Sequence, residues 1–413
     1  MSNIFALFET IQNSSHIVDI SKKVHDEFNK AELKRIIKHN DLIGIAVGSR
    51  FIKCQKAIID QLITELLIIG ARPIIIPAMG SHGSSTAKGQ MEILMNYGLN
   101  YEEMNVPICS SMDTIRVSTL SNGLNVYFDK KASECDGIIL INRIKEHTAL
   151  SGSYQSGLLK ILAVGLGKRI GAKEIHKYGI NEYLIEVGIL LINKMPIIAG
   201  IGIIENAFQE PFEIIILNNE DILIKEPDLL EIAKRNTQKI PFNNIDFLIL
   251  SEIGKDISGT CLDLNVVERG VKYKDVTIPK IKTIIALDLT NNSQGNATGI
   301  GYVDIITDEL YKKIDIESTY KNCVTSRHYN AGKIPIRFSN FKKIYDEIIL
   351  SNKSNRILFY KNTLEMHQFF ASDALSSDIE KYANIKQKNV YGEIRFDKKQ
   401  NLIYPNFYHG EMI

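Results

Sequence analysis

Short apolar runs rich in β-branched residues alternate with segments of helical period, and this alternation limits the fold more than any other feature of the chain. LIGIAV (42–47) has the pattern of a buried strand. From Cys54 to Ile69, the apolar residues Ile58, Ile59, Leu62, Leu66 and Ile69 recur with the period of a helix. Gly70 ends that helix, ARPIIIPA (71–78) is the next strand, and the loop GSHGSS leads to a helix beginning near Ser85–Thr86. Strand, helix, strand, loop and helix in that order specify a parallel sheet with helices on its faces. Further strands are predicted at GIILIN (137–142) and IIAGIGII (197–204).

A second series opens near residue 244. IDFLILSEIG, IKTIIALDLT and RILFYKN are predicted strands, with helical patterns at Thr307–Lys313, Asn340–Ile349 and Leu364–Ala371. The polar stretch RNTQKIPFNN (235–244) separates the two series, which predicts α/β domains at 1–240 and 241–413. Ligands of open parallel sheets gather at the carboxyl ends of strands, and clefts between domains are common sites. The active site is therefore expected just after the named strands, in the interdomain cleft.

Composition excludes several classes. The 49 Lys+Arg nearly cancel the 48 Asp+Glu, so no broad basic surface exists to hold nucleic acid. No run of 18 uncharged apolar residues occurs, so no membrane span is expected. MSNIFALFET lacks a basic region, a long apolar core and a small-residue cleavage site, so it is not read as a signal peptide. Five scattered cysteines (Cys54, Cys109, Cys135, Cys261, Cys323) without a C-x-x-C fit the reduced thiols of a cytoplasmic protein.

Three of the nine histidines follow predicted strands in the first domain. His82 lies in AMGSHGSST, His147 in NRIKEHTALSGS, and His176 in the short helical pattern GAKEIHKYG. Two imidazoles at equivalent strand ends can exchange acid and base roles across one substrate, which suits a reaction run in both directions. A zinc site of the three histidines lacks any short ligand spacing in its favour. Arg50 ends the first strand and could hold a carboxylate or phosphate through paired hydrogen bonds. The helices starting near Phe51 and Ser85 also offer N–H groups to an anion. Lys160 sits among Leu158, Leu159, Ile161 and Leu162, where desolvation would lower its pKa and make the amine nucleophilic. One exposed lysine on an amphipathic helix explains the same pattern. GLGKRIG (165–171) approaches a dinucleotide fingerprint but has the wrong glycine spacing, and ILAV before it continues a helical pattern. In the second domain Asp263, Asn265, Asn296 and Thr298 occupy polar loops after strands, where they could cap helices or touch a ligand.

VGSR (47–50), AMGSHGSSTAKGQ (78–90), EHTALSGSYQSGLLKILAVGLG (146–167) with His176, and GTCLDLN (259–265) form an ordered set. By these blocks, and by the sixteen-residue interval from Lys160 to His176, the chain resembles the nickel-pincer lactate racemase family over nearly its whole length. The resemblance implies a Rossmann-like N-terminal α/β domain followed by a smaller C-terminal α/β domain. It implies a nickel-pincer nucleotide (a pyridinium-3,5-bisthiocarboxylic acid mononucleotide holding nickel) covalently attached to Lys160, with His176 as a nickel ligand. His82 and His147 match the acid/base pair. Arg50 matches an arginine near cofactor and substrate, and Ser81, Thr86, Asp263 and Asn265 in the matching blocks join it as expected cofactor-binding residues. The implied reaction is racemisation or epimerisation of a 2-hydroxy acid. One histidine takes the hydroxyl proton as hydride passes to the cofactor, a planar 2-keto acid reorients, and hydride and proton return on the other face. Soft sulfur ligands with imidazole suit nickel. The partners implied are the substrate and the enzymes that mature the cofactor, with no nucleic acid and no membrane.

The chain departs from the family at several positions. Gly83 follows His82 where an arginine is common, and Thr148 and Ala149 follow His147 where aromatic residues are frequent. Gly48 and Ser49 replace an acidic residue before Arg50, Val267-Glu268 stands for a Tyr-Gln pair, Lys272 is displaced by one residue, and no Trp occurs. The interval from His147 to Lys160 is also long. Small residues at 148–149 leave room for a 2-hydroxy acid larger than lactate. Two other readings stand beside this one: a cofactor-free binding protein or divergent enzyme on the same fold, and an NAD-dependent dehydrogenase resting on GLGKRIG.

Overall fold

The computed structural model describes residues 4–147, 150–267, 269, 280–352, 355–400 and 402–404. The chain forms two units, one of residues 13–237 and one that combines residues 1–12 with 238–413. The junction lies inside the polar stretch 235–244, three residues before the position read from the sequence. The first strand, β1 (Phe5–Thr10), belongs to the second unit and is taken up there.

In the 13–237 unit the apolar runs become a five-stranded sheet. Its strands are β2 (Leu42–Val47), β3 (Arg72–Pro77), β6 (Gly137–Arg143), β7 (Ile197–Glu205) and β8 (Pro211–Asn218), in the order β3-β2-β6-β7-β8. A separate antiparallel pair, β4 (Thr114–Thr119) and β5 (Asn125–Asp129), lies between β3 and β6 in sequence. The first four strands of the sheet are parallel and β8 is antiparallel to β7. Alternate residues feed two cores, as the two-residue strand period requires. Ala46, Ile74, Ile76, Ile138 and Leu140 face a cluster with the helices Ile180–Lys194 and Asn219–Asn236. Ile45, Val47, Ile75, Ile139 and Ile141 face the other, with the helices Ile20–Lys30 and Gln55–Ile69. Gly70 closes the latter helix at φ 84°, the left-handed conformation glycine adopts without strain. Because β3 and β6 lie on opposite sides of β2, the chain reverses its direction of travel across the sheet there. Such a switch point opens a crevice at the carboxyl edge.

The second unit holds an eight-stranded sheet of β1 with β9 (Ile245–Leu250), β10 (Ile281–Ala286), β11 (Ile305–Thr307), β12 (Ile336–Phe338), β13 (Ile357–Tyr360), β14 (Gln368–Ser372) and β15 (Ile385–Gly392). The order is β12-β11-β10-β9-β13-β14-β1-β15. β9 to β13 are parallel to one another, and β14 runs antiparallel to both β13 and β1. The helical reading of Leu364–Ala371 is corrected here: Gln368–Ser372 is a strand. Phe369 and Phe370 are both buried, in cores on opposite faces of the sheet. A strand covered on both faces has no alternating pattern by which to recognise it. Among the described residues, no helix is long and apolar enough to cross a membrane.

Candidate active site

Pairing of Val47 with Pro77 on one side and Ile141 on the other sets the carboxyl ends of β2, β3 and β6 side by side. The loops that leave them carry Arg50, His82 and His147. The two histidine loops thus flank the one that bears Arg50.

The His82 loop is held from below. His82 N–H donates to the Met79 carbonyl at 3.0 Å, and Gln90, fully buried, donates to the carbonyls of Gly80 at 3.0 Å and His82 at 3.4 Å. Gly83 has φ +63°, and a Cβ there would lie 2.5 Å from the Gly89 carbonyl carbon. The local backbone leaves no place for the arginine common after this histidine in the resembling family. Ser49 Oγ shares a short hydrogen bond with His82 Nδ1, and the Tyr97 hydroxyl donates to the Ser49 carbonyl at 2.7 Å. Ser81 accepts the Ser85 hydroxyl at its carbonyl, at 2.9 Å. Thr86 is the N-cap of the helix Ala87–Asn96, its Oγ1 accepting from Gly89 N–H at 3.0 Å. That cap satisfies one of the N–H groups expected to meet an anion, and the other helix begins at Gln55 rather than Phe51.

His147 lies on the turn between Lys145 and Ser156, which exchange backbone hydrogen bonds at 3.0 and 3.2 Å. Its N–H donates to Gln155 Oε1 at 2.7 Å. Burial, and then the charges of Lys160, Arg50, Lys145 and His176, hold its imidazole well below its ordinary pKa. His147 therefore senses the charge of three other expected site residues, Lys160, Arg50 and His176. Thr148 and Ala149 lie outside the described residues.

Lys160 ends the short helix Leu158–Lys160 and opens a π-helical turn, Ile161–Gly165. Such turns recur at functional sites because they re-aim one side chain out of helical register. Part of Lys160 remains accessible, yet desolvation, helped by Arg50 and Lys145, brings its amine down to about 7. Near neutral pH that amine is a nucleophile. The first glycine of GLGKRIG, Gly165, ends this π turn and no strand precedes the others, so the setting of a dinucleotide loop is absent. They serve close packing: a Cβ on Gly165 would lie 2.5 Å from the Ala78 carbonyl oxygen. His176 lies exposed in the last turn of the helix Lys168–Tyr178.

Several partners of the site were not legible as such. Lys168 is fully buried, 2.8 Å from Asp129 Oδ2 and within 3.3 Å of Gln90 Oε1, and it also donates to the Pro77 carbonyl at 2.5 Å. Glu226, 1% exposed, accepts from the N–H of Leu159 at 3.0 Å, and burial pushes its carboxyl up to about 7. Arg143 pairs with Glu205 beside β7. In each case the partner is distant in sequence, so no local pattern marks it.

Asp263 and Asn265 belong to the second unit. Asp263 Oδ1 accepts from Asn265 N–H at 3.0 Å, and the Asp263 carbonyl opens the short helix Leu264–Val267. Asn296 Oδ1 accepts the Thr298 hydroxyl at 2.7 Å. Capping accounts for these contacts. Glu268 and Lys272 lie outside the described residues. Among the described residues no three His, Cys, Asp or Glu side chains group as a metal site.

Residues 4–183 match the protein family described as the lactate racemase N-terminal domain. The lactate racemase apoprotein from Thermoanaerobacterium thermosaccharolyticum shares the fold, with a TM-score of 0.53 over 88% of this chain and 99% of that one. At 10% identity the likeness establishes the fold alone. No curated protein matches the sequence.

Proposed function

We propose that this chain, whose residues 4–183 match the lactate racemase N-terminal domain family, racemises or epimerises a 2-hydroxy acid with a lysine-bound nickel-pincer nucleotide. The family supports a racemase; the substrate class, the cofactor and the residue roles are our reading. The observation that carries it is the convergence of two histidine loops on either side of Arg50, with a desolvated lysine amine beside them.

The residues present fit the cofactor. A lysine with a substantial fraction of free amine near neutral pH suits covalent attachment, and Arg50 and Lys145 beside it suit an anionic nucleotide. Lys160 would hold the group and His176 would complete nickel coordination through imidazole. When bound, it would supply a reversible hydride acceptor. Arg50 would bind the substrate carboxylate and fix the α-carbon between the histidines. His147 is held neutral by burial and then by the cations around it, so it is ready to accept the hydroxyl proton. His82, oriented by Ser49, would exchange the proton on the opposite face. The maturation enzymes of the cofactor are the implied partners, and the cytoplasm, where they act, the implied compartment.

Intact mass and nickel content, on protein co-produced with those enzymes, test the reading. A Lys160-dependent adduct with about one nickel per chain is expected. His82→Ala and His147→Ala should each keep the adduct and lose racemisation. Normal turnover in either variant removes that histidine from the pair, and an unmodified, nickel-free chain beside a loaded control enzyme rejects the cofactor.

A further inference from the structure

The segment that carries Lys160 is anchored by one stretch of the helix Asn219–Asn236, residues Leu223–Pro227. Pro227 lies inside that helix and has no N–H to give the carbonyl of Leu223, four residues earlier. The Tyr154 hydroxyl donates to that carbonyl instead. One residue before the proline, Glu226 reaches the start of the Lys160 helix. Its Oε2 accepts from Leu159 N–H at 3.0 Å, and the Leu158 N–H acts on the same carboxylate. These are two of the N–H groups that a helix start leaves without an internal partner. No side chain of the helix itself caps them, because its N-cap is Gly157. Gly157 is required by the same contact: a Cβ there would stand 1.9 Å from Glu226 Oε1. The other carboxylate oxygen has no hydrogen-bond partner among the described residues, so the side chain is committed to these N–H groups.

We infer that Glu226 is a positioning residue for Lys160: its carboxylate caps, from a different helix, the turn that aims the lysine amine into the site. The inference rests on the reading of Lys160 as the attachment point, but its geometry does not. Glu226 acts through the backbone and not through charge, since the cations that act on the Lys160 amine are Arg50 and Lys145. Losing the cap would let the first turn fray. The amine would then gain water, and its pKa would rise toward that of an ordinary lysine.

The test compares Glu226→Gln, which keeps an acceptor oxygen at the same reach, with Glu226→Asp, which keeps the charge and draws the oxygen back. Glu226→Leu, which has neither, runs beside them. Pulse labelling with an amine-reactive acylating reagent across pH, read at Lys160 by mass spectrometry, reports the amine without any cofactor. Amide exchange of the 157–163 segment reports the cap. Glu226→Gln should match the parent in both. Glu226→Asp and Glu226→Leu should lose protection of the segment, and label Lys160 about fivefold more slowly near pH 7 for a rise of about one pKa unit. An Asp variant that matches the parent while Gln fails would make charge the cause and overturn the inference. So would a folded Leu variant with an unchanged Lys160 profile. If Glu226→Leu does not fold, the Gln and Asp variants decide. Adduct formation is measured in parallel: a parent chain without a Lys160 adduct sinks the cofactor reading, while the labelling profile still judges Glu226.

Discussion

Lys168 shows how much of this site depends on a single buried charge. Its ammonium lies among the Asp129 carboxylate, the Gln90 amide oxygen and the Pro77 carbonyl, all out of water. Lys168→Met should lower unfolding free energy by about 3–5 kcal/mol, because Asp129 would remain buried without its partner; urea unfolding measures this. Glu226 yields a pH prediction. Its carboxyl is raised from 4.5 to about 7 in the fold, so the folded state holds the proton more tightly than the unfolded chain. Its contribution is fully present below about pH 4.5 and is lost as pH rises through 7, at most about 3 kcal/mol. Glu226→Gln should flatten stability between those limits, which thermal melts at stepped pH would reveal; an unchanged slope would assign it to other groups. Lys160 was legible because its apolar neighbours adjoin it in sequence. Lys168 was not, because the carbonyl and amide that hold it stand 91 and 78 residues away.

Among the elements, the two histidine loops differ in how they are secured. The His82 loop is wedged between the first turn of its own helix and the π turn that follows Lys160. Gly80 N–H donates to the Gly165 carbonyl at 3.0 Å. Gly83→Ala would force a Cβ against the Gly89 backbone at positive φ. It should cost more than about 1 kcal/mol. It should also reduce turnover by a larger factor than stability explains, since His82 moves with it; paired melting curves and racemisation rates measure both. The strand–helix alternation of residues 42–96 could be read directly, because each piece has one buried face and a clear stop. β14 could not, since both of its faces are covered. The π turn was read only as a continued helix, because its extra residue per turn leaves no mark on the apolar period.

For the whole molecule, the path of the first twelve residues matters most. β1 lies between β14 and β15, with Phe5 fully buried and Phe8 5% exposed. Removing residues 1–10 should unfold the second unit, since each phenylalanine lost from a core costs about 3–5 kcal/mol. The 13–237 unit, with its own two cores, should keep a separate melting transition; calorimetry of the truncated chain distinguishes the two, and an unaltered profile would deny β1 its role. From residue types and spacing alone came the parallel α/β sheet, the positions of Arg50, His82, His147, Lys160 and His176, and the family they suggest. These rest on local periodicity and on ordered blocks, which a one-dimensional string carries in full. Three-dimensional packing was needed to put His82 and His147 on either side of β2, and to give β1 to the sheet of the second unit. It also surrounded His147 with cations and brought Glu226 to the helix of Lys160. Each of these depends on contacts between distant segments, and their strength comes from excluding water, which no local pattern records.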